Sequence, residues 1–285
     1  MKIWTIARMT VLEAVRRKII LTGFILGITL VLLHSIGFAY IHYQFEIQMQ
    51  FLGDSTSGMT FAARLQFYNF IIMAGFYAVN FLTIMMAGLV SSNALSGEIN
   101  NGSIQTLVTK PIRRFEIVIG KWLGLAFLLG CYILLMMGGM SFGVWLQERY
   151  IAPNLAAGIF LIFLESLLFI SLALAFSSRL STLATGSAVF GLFGIAFAGS
   201  WIEQIGSYLN NQASINIGII TSLILPSEAL WRRAAYEMTL PLINILAGGP
   251  FISQSVPSDL MLIYSILYIL AAFGLSIYGF SKRDL

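Results

Sequence analysis

The chain is poor in the residues that build soluble catalytic centres. Its 285 residues include one cysteine and two histidines, and only 10% are charged. Cys131 on its own excludes an intramolecular disulfide and any cysteine-built metal cluster. His34 and His42 are too few for a multi-histidine centre within one chain. A typical soluble domain is roughly 25% charged. Twelve acids and sixteen bases cannot solvate a surface of this size when 58% of the residues are apolar or aromatic. A water-soluble globule is thereby excluded, and so is a disordered chain. What the sequence does have is long apolar runs. At about 20 residues per crossing, its length allows roughly six crossings and modest loops. No stretch of ~100 residues is left over for a soluble domain, so a soluble catalytic unit has to come from another chain.

The runs are Ile19 to about Ile41, Phe67 to Val90, Trp122 to Trp145, Leu155 to Phe176, Leu183 to about Trp201, and Leu260 to Phe280. The first follows Arg16-Arg17-Lys18, but it is too long for a signal peptide and no small-residue cleavage site closes it. Lys and Arg set the orientation. With the N-terminus inside, the inner segments hold Lys2, Arg8, Arg16, Arg17, Lys18, Lys110, Arg113, Arg114, Lys121, Arg179, Lys282 and Arg283, which is twelve. The outer segments hold Arg64, Arg149, Arg232 and Arg233, which is four. Both termini are therefore expected in the cytoplasm, in a multi-pass protein of the cell membrane. The net charge of +4 is a topology signal, and no basic stripe or binding motif points to nucleic acid.

Two outer segments read differently. His42 to Gln66 is polar and contains Gly53-Asp54-Ser55-Thr56-Ser57-Gly58, a loop composition. The segment 202–259 is long. Ile217–Leu225 is too short to span, and Pro226-Ser227 reads as a helix start with Ser227 as N-cap. Trp231, Ala234, Ala235 and Met238 follow at helical spacing, with Glu228/Arg232 and Arg233/Glu237 as i,i+4 pairs. This part, 217–246, is an interfacial amphipathic helix, a solvated connector or a re-entrant hairpin.

On the inner side, residues 1–18 form an amphipathic helix. Trp4, Ala7, Val11 and Val15 share one face, and Glu13, Arg16 and Arg17 lie opposite. The inner loop 93–121 holds the most information. Glu98 is its acid. Gly102-Ser103 is a breaker followed by an N-cap candidate. Ile104, Leu107 and Val108 form the apolar face of a one- to two-turn helix. Pro111 disfavours helix at Lys110, and Arg113-Arg114 follow in water. An exposed apolar face with no core of its own suits a groove on a soluble partner. The competing reading is a solvated loop that caps two spans.

The order Gly97-Glu98, Gly102-Ser103, Leu107, Pro111, Arg113-Arg114, Gly120-Lys121 resembles the inner loop of type-2 ABC transporter permeases. The group tied to multicopper-enzyme maturation looks most similar. Ser103 stands where threonine is usual and keeps the hydroxyl. The N-terminal helix resembles the family's elbow helix, and Leu225 to Arg232 is similar to a stretch before the last span of such permeases. The resemblance implies an all-α integral membrane protein. It would have six transmembrane helices, an elbow helix at 1–18 and a short cytoplasmic coupling helix in 93–121. It also implies two ABC ATPase subunits beneath a pair of permeases, a second copy or a paralogue, embedded in the lipid bilayer. Glu98, Gly102, Ser103, Ile104, Leu107, Val108, Pro111, Arg113, Arg114 and Lys121 are the residues expected at the ATPase-partner contact. Ile104, Leu107 and Val108 would be buried anchors. Arg113 and Arg114 would meet acidic partner or lipid groups, and Glu98 would anchor the loop. ATP and Mg²⁺ are expected on the partner, with no cofactor, metal or catalytic residue on this chain. Gly97 to Gly102 has P-loop glycine spacing, but Ser103 replaces the lysine that would reach the phosphates.

Within the membrane the notable residue is Glu165, midway along the fourth run. A carboxylate there must be protonated, paired or facing a wet cavity. It is either a pathway residue or a structural hydrogen bond, with Ser171 or Thr185 as neighbours. His34, Asn69 and Asn80 read as interhelical hydrogen bonds. Gly138-Gly139 and Gly191/Gly194 suggest close helix approach. An intramembrane protease is disfavoured, since neither H-E-x-x-H nor G-x-S-x-G occurs. A secondary transporter or channel using Glu165 is the alternative; such proteins place several ionisable groups at mid-membrane, and only Glu165 qualifies on sequence.

Overall fold

The computed structural model describes residues 2–16, 18–52, 57–100, 113–240 and 255–283, and every regular element among them is a helix. In chain order these are α1 (Lys2–Arg16), α2 (Lys18–Leu52), α3 (Ser57–Ser92), α4 (Ser96–Asn100) and α5 (Arg114–Glu148). They continue with α6 (Leu155–Ser177), α7 (Thr182–Tyr208), α8 (Gln212–Ile224), α9 (Ser227–Glu237) and α10 (Asp259–Ser281). Six segments are long and apolar enough to cross a membrane: Lys18–Gln48, Arg64–Asn100, Arg114–Glu148, Leu155–Ser177, Thr182–Tyr208 and Asp259–Ser281. They coincide with the six apolar runs. A 23-residue helix such as α6 is about 35 Å long, against a hydrocarbon core of ~30 Å.

The helices overrun their apolar runs because polar residues beyond the runs find partners on neighbouring helices. The segment read as a polar loop after His42 is mostly helix, up to Leu52 and again from Ser57. There Arg64 Nη2 pairs with Glu46 Oε2 at 2.8 Å, and His42 Nε2 with Glu148 Oε1 at 2.8 Å. Likewise α7 continues past Trp201 to Tyr208.

Contacts fix the register. Met86 lies against Gly23, His34 against Gly75, and Tyr68 against His42, so α2 and α3 are antiparallel. Met136 meets Gly27, Val31 meets Gly139 and Ser35 meets Gly143, so α2 and α5 are parallel. Phe163 packs on Gly130, and Trp122 Nε1 donates to Ser171 Oγ at 2.9 Å, so α5 and α6 are antiparallel. The core is α3, α5 and α6, each with more than half of its apolar window buried; α2 has 11% buried and α10 22%.

Two further packings matter for the site. α1 packs closely on the start of α5, with a Cβ on Gly124 falling 2.7 Å from the Ala7 carbonyl oxygen and one on Gly120 2.6 Å from Ile6 Cβ. The buried face of α1 is Ile6, Ala7, Thr10 and Ala14. Trp4 and Val15, from the face expected to lie on the inner leaflet, are exposed, while glycines on α5 admit the small-residue face of α1. Gly138, Gly191 and Gly194 were expected at close approaches and have nothing within 4 Å.

α8 packs back along α7, with Ser214 on Gly206, Glu203 on Gly218 and Thr221 on Gly199. After Leu225 and Pro226 the chain bends by 107° into α9. α9 then runs along α6, with Met238 against Gly158 and Glu237 hydrogen-bonded to Asn154 at 3.3 Å. Its start therefore lies level with the middle of α6. Ser227 is the first helical residue, not the cap, since the N-cap is Pro226.

Candidate functional site

The end of the bundle that carries α1 also carries the four described residues expected at the partner contact, Glu98, Arg113, Arg114 and Lys121. α3 breaks at residues 93–95, and α4 resumes the helix for five residues. The break frees a carbonyl: Ala94 O accepts from Lys121 Nζ at 2.7 Å. Lys121 is 3% exposed and also donates to Glu98. Glu98 is thus held by α5. The break touches α7 as well, with Ser96 Oγ and Thr182 Oγ1 2.8 Å apart.

The other edge of the loop is equally tied down. The backbone N–H of Arg113 donates to Glu116 Oε2 at 2.8 Å, closing the first turn of α5. Arg114 Nη1 donates to the Ser281 and Arg283 carbonyls at 3.0 and 2.6 Å, satisfying orphan groups at the end of α10. Arg283 Nη1 in turn donates to Ser178 O at 2.8 Å. Arg113 is exposed and Arg114 half-buried. Gly102, Ser103, Ile104, Leu107, Val108 and Pro111 lie outside the described residues, 101–112. The structure thus joins Glu98 with Lys121 and places the roots of the intervening segment on one platform of α1, α3, α5, α7 and α10.

A second group lies at mid-bundle. Glu165 is fully buried, and neither of its oxygens meets hydrogen-bond geometry with a protein donor, although the Asn80 amide lies beside it. Its other charged neighbour is Glu228 on α9, which sits by Ser200 and Arg232. The expected partners are not used: Ser171 is taken by Trp122, and Thr185 Oγ1 has no partner. Arg232 does not pair along its own helix with Glu228. It donates through Nη1 to Glu203 Oε1 on α7 at 2.5 Å, while Arg233 and Glu237 do form the i,i+4 pair at 3.1 Å. Glu203, Glu228 and Arg232 are all at most 4% exposed. Glu165 is therefore one of several buried ionisable groups, because α7 is longer than its apolar run and α9 folds inward. Among the described residues neither Glu165 nor Glu228 forms an ion pair; Arg232, beside Glu228, is bound to Glu203. A buried carboxylate without an ion pair is neutral or takes a cation.

His34 and Asn69 act as interhelical bonds: His34 Nε2 to Ile71 O at 3.1 Å, and Asn69 Nδ2 to Tyr150 Oη at 3.0 Å and Met238 O at 3.3 Å. Burial pushes the Tyr150 phenol above its ordinary value. Among the described residues no group of three or more His, Cys, Asp or Glu is placed to hold a metal ion.

The model of the ABC-2 family transporter proteins matches residues 4–285. The chain belongs to that family. No curated protein matches it. This ABC-2 protein is a multi-pass membrane permease subunit of an ABC transporter, and its family works with ABC ATPase subunits. Members are non-catalytic membrane subunits without cofactors of their own. Membership sets aside the secondary-transporter reading of Glu165.

Sequence reasoning missed two features of this ABC-2 permease. One is the partner of Glu98, 23 residues ahead, which the break in α3 brings to Lys121. The other is the burial of the charged residues of α9, whose inward fold matches one of the three readings of 217–246, the re-entrant hairpin. The signal for the second was present as four charged residues, Glu228, Arg232, Arg233 and Glu237, in a helix whose other face is wholly apolar.

Proposed function

We propose that this permease exports its cargo by mechanical coupling to two separate ABC ATPase subunits, through the segment between α4 and α5. In this reading the α1 end faces the cytoplasm, both termini lie inside, and two permease copies or paralogues form the pathway of a transporter in the cell membrane. The Glu98–Lys121 clamp carries the proposal. It ties the two ends of the segment to each other and to α5, so a force on residues 101–112 is delivered to the roots of both spans together. The excess of Lys and Arg at the α1 end supports the orientation, and family resemblance favours export.

Ile104, Leu107 and Val108 are the anchors in the ATPase groove, with Gly102-Ser103 and Pro111 bounding their turn. Arg113, exposed, reaches the partner's acidic groups; Arg114 holds the end of α10 against α5. ATP closes the ATPase pair, the anchors follow their groove, and α3 and α5 tilt. The shift is driven by the difference in contact free energy between the two permease states; equal contact would move nothing. α1 travels with α5 as an elbow on the inner leaflet.

The test is Leu107→Asp in the complex with its ATPase, reconstituted in vesicles. The expected outcome is normal membrane insertion with ATP hydrolysis no longer linked to transport. Unchanged coupled transport refutes the docking role. Labelling of Tyr236 from the outside, but not from the inside, checks the orientation.

A further inference from the structure

At the end of the bundle remote from α1, three polar side chains from three helices close a ring. His42 Nε2 on α2 lies 2.8 Å from Glu148 Oε1 on α5. Tyr68 Oη on α3 donates to Glu148 Oε2 at 3.0 Å and lies 3.0 Å from His42 Nδ1. Phe38, fully covered, stacks along the imidazole with the two planes 8° apart. Tyr68 is buried, whereas the His42 and Glu148 side chains remain 23% and 21% exposed, so water reaches the ring.

The protons of this ring can be counted whichever imidazole nitrogen carries them. Two electronegative atoms at such distances attract only with a proton between them. Three contacts therefore need three protons. An ionised carboxylate brings none, a phenol brings one, and a neutral imidazole brings one. With only those two, one contact sets lone pair against lone pair. The closed ring thus holds one proton more, and the count is the same whether that proton sits on the imidazole or on the carboxyl. The charges around the ring are engaged with other groups. Glu46 on α2 pairs with Arg64 on α3 at 2.8 Å, and Arg149, just past α5, lies 4.2 Å from the centre of the Trp145 ring. Tyr150 faces Tyr68 through its ring, and its hydroxyl accepts from Asn69.

We propose that this ring is a binding site for one exchangeable proton, and that the proton joins the far end of α2 to α3 and α5. Bound, it closes all three contacts. Lost, it opens one of them and loosens α2 there, so the joint weakens as pH rises on that side of the membrane. The site goes beyond the coupling reading and does not depend on it.

Spin labels are attached at Tyr43→Cys and Leu260→Cys, both exposed at this end of the bundle, in a Cys131→Ser background. Their separation is measured in the purified full-length permease by pulsed electron–electron resonance at about pH 6 and about pH 9, either side of the range in which imidazole ordinarily changes charge. The fraction of molecules at a longer separation is expected to rise about tenfold between the two, the effect of losing one hydrogen bond to a charged group. Glu148→Gln decides the cause. Its carboxamide carries N–H donors as well as a carbonyl acceptor, so a neutral histidine then saturates the ring, and the short separation is expected at both pH values. An unmutated ring with the same distribution at both pH values overturns the proposal. So does a Glu148→Gln variant that is looser at both, which would make Glu148 a mere counter-charge, or one that keeps the pH response, which would assign that response to His34, the other histidine. Each of these failures leaves the coupling reading untouched, because that is tested separately by Leu107→Asp in the complex.

Discussion

Replacing Lys121 by methionine keeps the length of the side chain and removes its charge. Two groups are stranded by the change. The Glu98 carboxylate loses its ammonium in a residue only 9% exposed, and breaking one side of a buried pair is destabilising by about 3–5 kcal/mol. The Ala94 carbonyl, already outside the helical ladder, loses its donor at 2.7 Å, a further loss of about 1–3 kcal/mol where no water replaces it. We therefore expect Lys121→Met to lose about 4–8 kcal/mol, or about 3–5 kcal/mol if solvent reaches Ala94. At roughly 2–4 °C per kcal/mol for a chain of this order of size, the thermal midpoint in detergent falls by about 10 °C or more. The double variant Glu98→Gln/Lys121→Met strands no charge and keeps only the carbonyl defect, so most of the loss is recovered. Thermal unfolding followed by tryptophan fluorescence measures all three proteins under identical conditions. A Lys121→Met midpoint within about 3 °C of the parent, roughly 1 kcal/mol, would refute the clamp. So would a double variant no more stable than the single one.

Other outcomes follow from the same geometry. Glu165→Gln should leave stability within about 1 kcal/mol, because the glutamine replaces a buried carboxyl that forms no ion pair among the described residues, whereas Glu203→Gln strands Arg232 and should lose about 3–5 kcal/mol; thermal midpoints of the two variants compare them directly. Gly124→Val places side-chain atoms where the Ala7 carbonyl stands, and overpacking of this kind is destabilising by about 1–3 kcal/mol. Faster amide hydrogen exchange confined to α1 is the expected signature. Arg114→Gln removes two partly exposed bonds to the end of α10, worth about 1–2 kcal/mol together, and should make the last residues more sensitive to carboxypeptidase while the midpoint moves little.

The membrane spans were legible because hydrophobic length is written directly in the sequence, and no tertiary contact can override a run of twenty apolar residues in lipid. The apolar turn read between breakers falls in 101–112, outside the described residues. Its clamp was half legible: Glu98 and Lys121 were both singled out, but their pairing depends on a break in α3 at residues 93–95 that no proline or glycine announces. The fold of α9 was legible only as one of three readings, because Glu228 and Arg232 look like surface residues until Glu203 on α7 neutralises the arginine. A sequence records polarity, and the partner that makes burial tolerable lies on another helix. The glycines misled for a related reason. Gly138, Gly191 and Gly194 look like the close-contact glycines, yet Gly120, Gly124 and Gly218 make those contacts, and only the facing helix decides which.

The sparse covering of α2 bears on how this permease can change shape. Where a stave of the bundle leaves its neighbours, lipid tails take the vacated places, and one hydrocarbon contact replaces another with little change in free energy. Resistance to swinging α2 outward then resides in its polar fasteners, among them the bond from His34 to Ile71 near mid-length, the bond from Gln147 to the Ser35 carbonyl, the Glu46–Arg64 pair and the His42–Tyr68–Glu148 ring of hydrogen bonds near its far end. Unfastening that ring would leave α2 as a hinged outer wall.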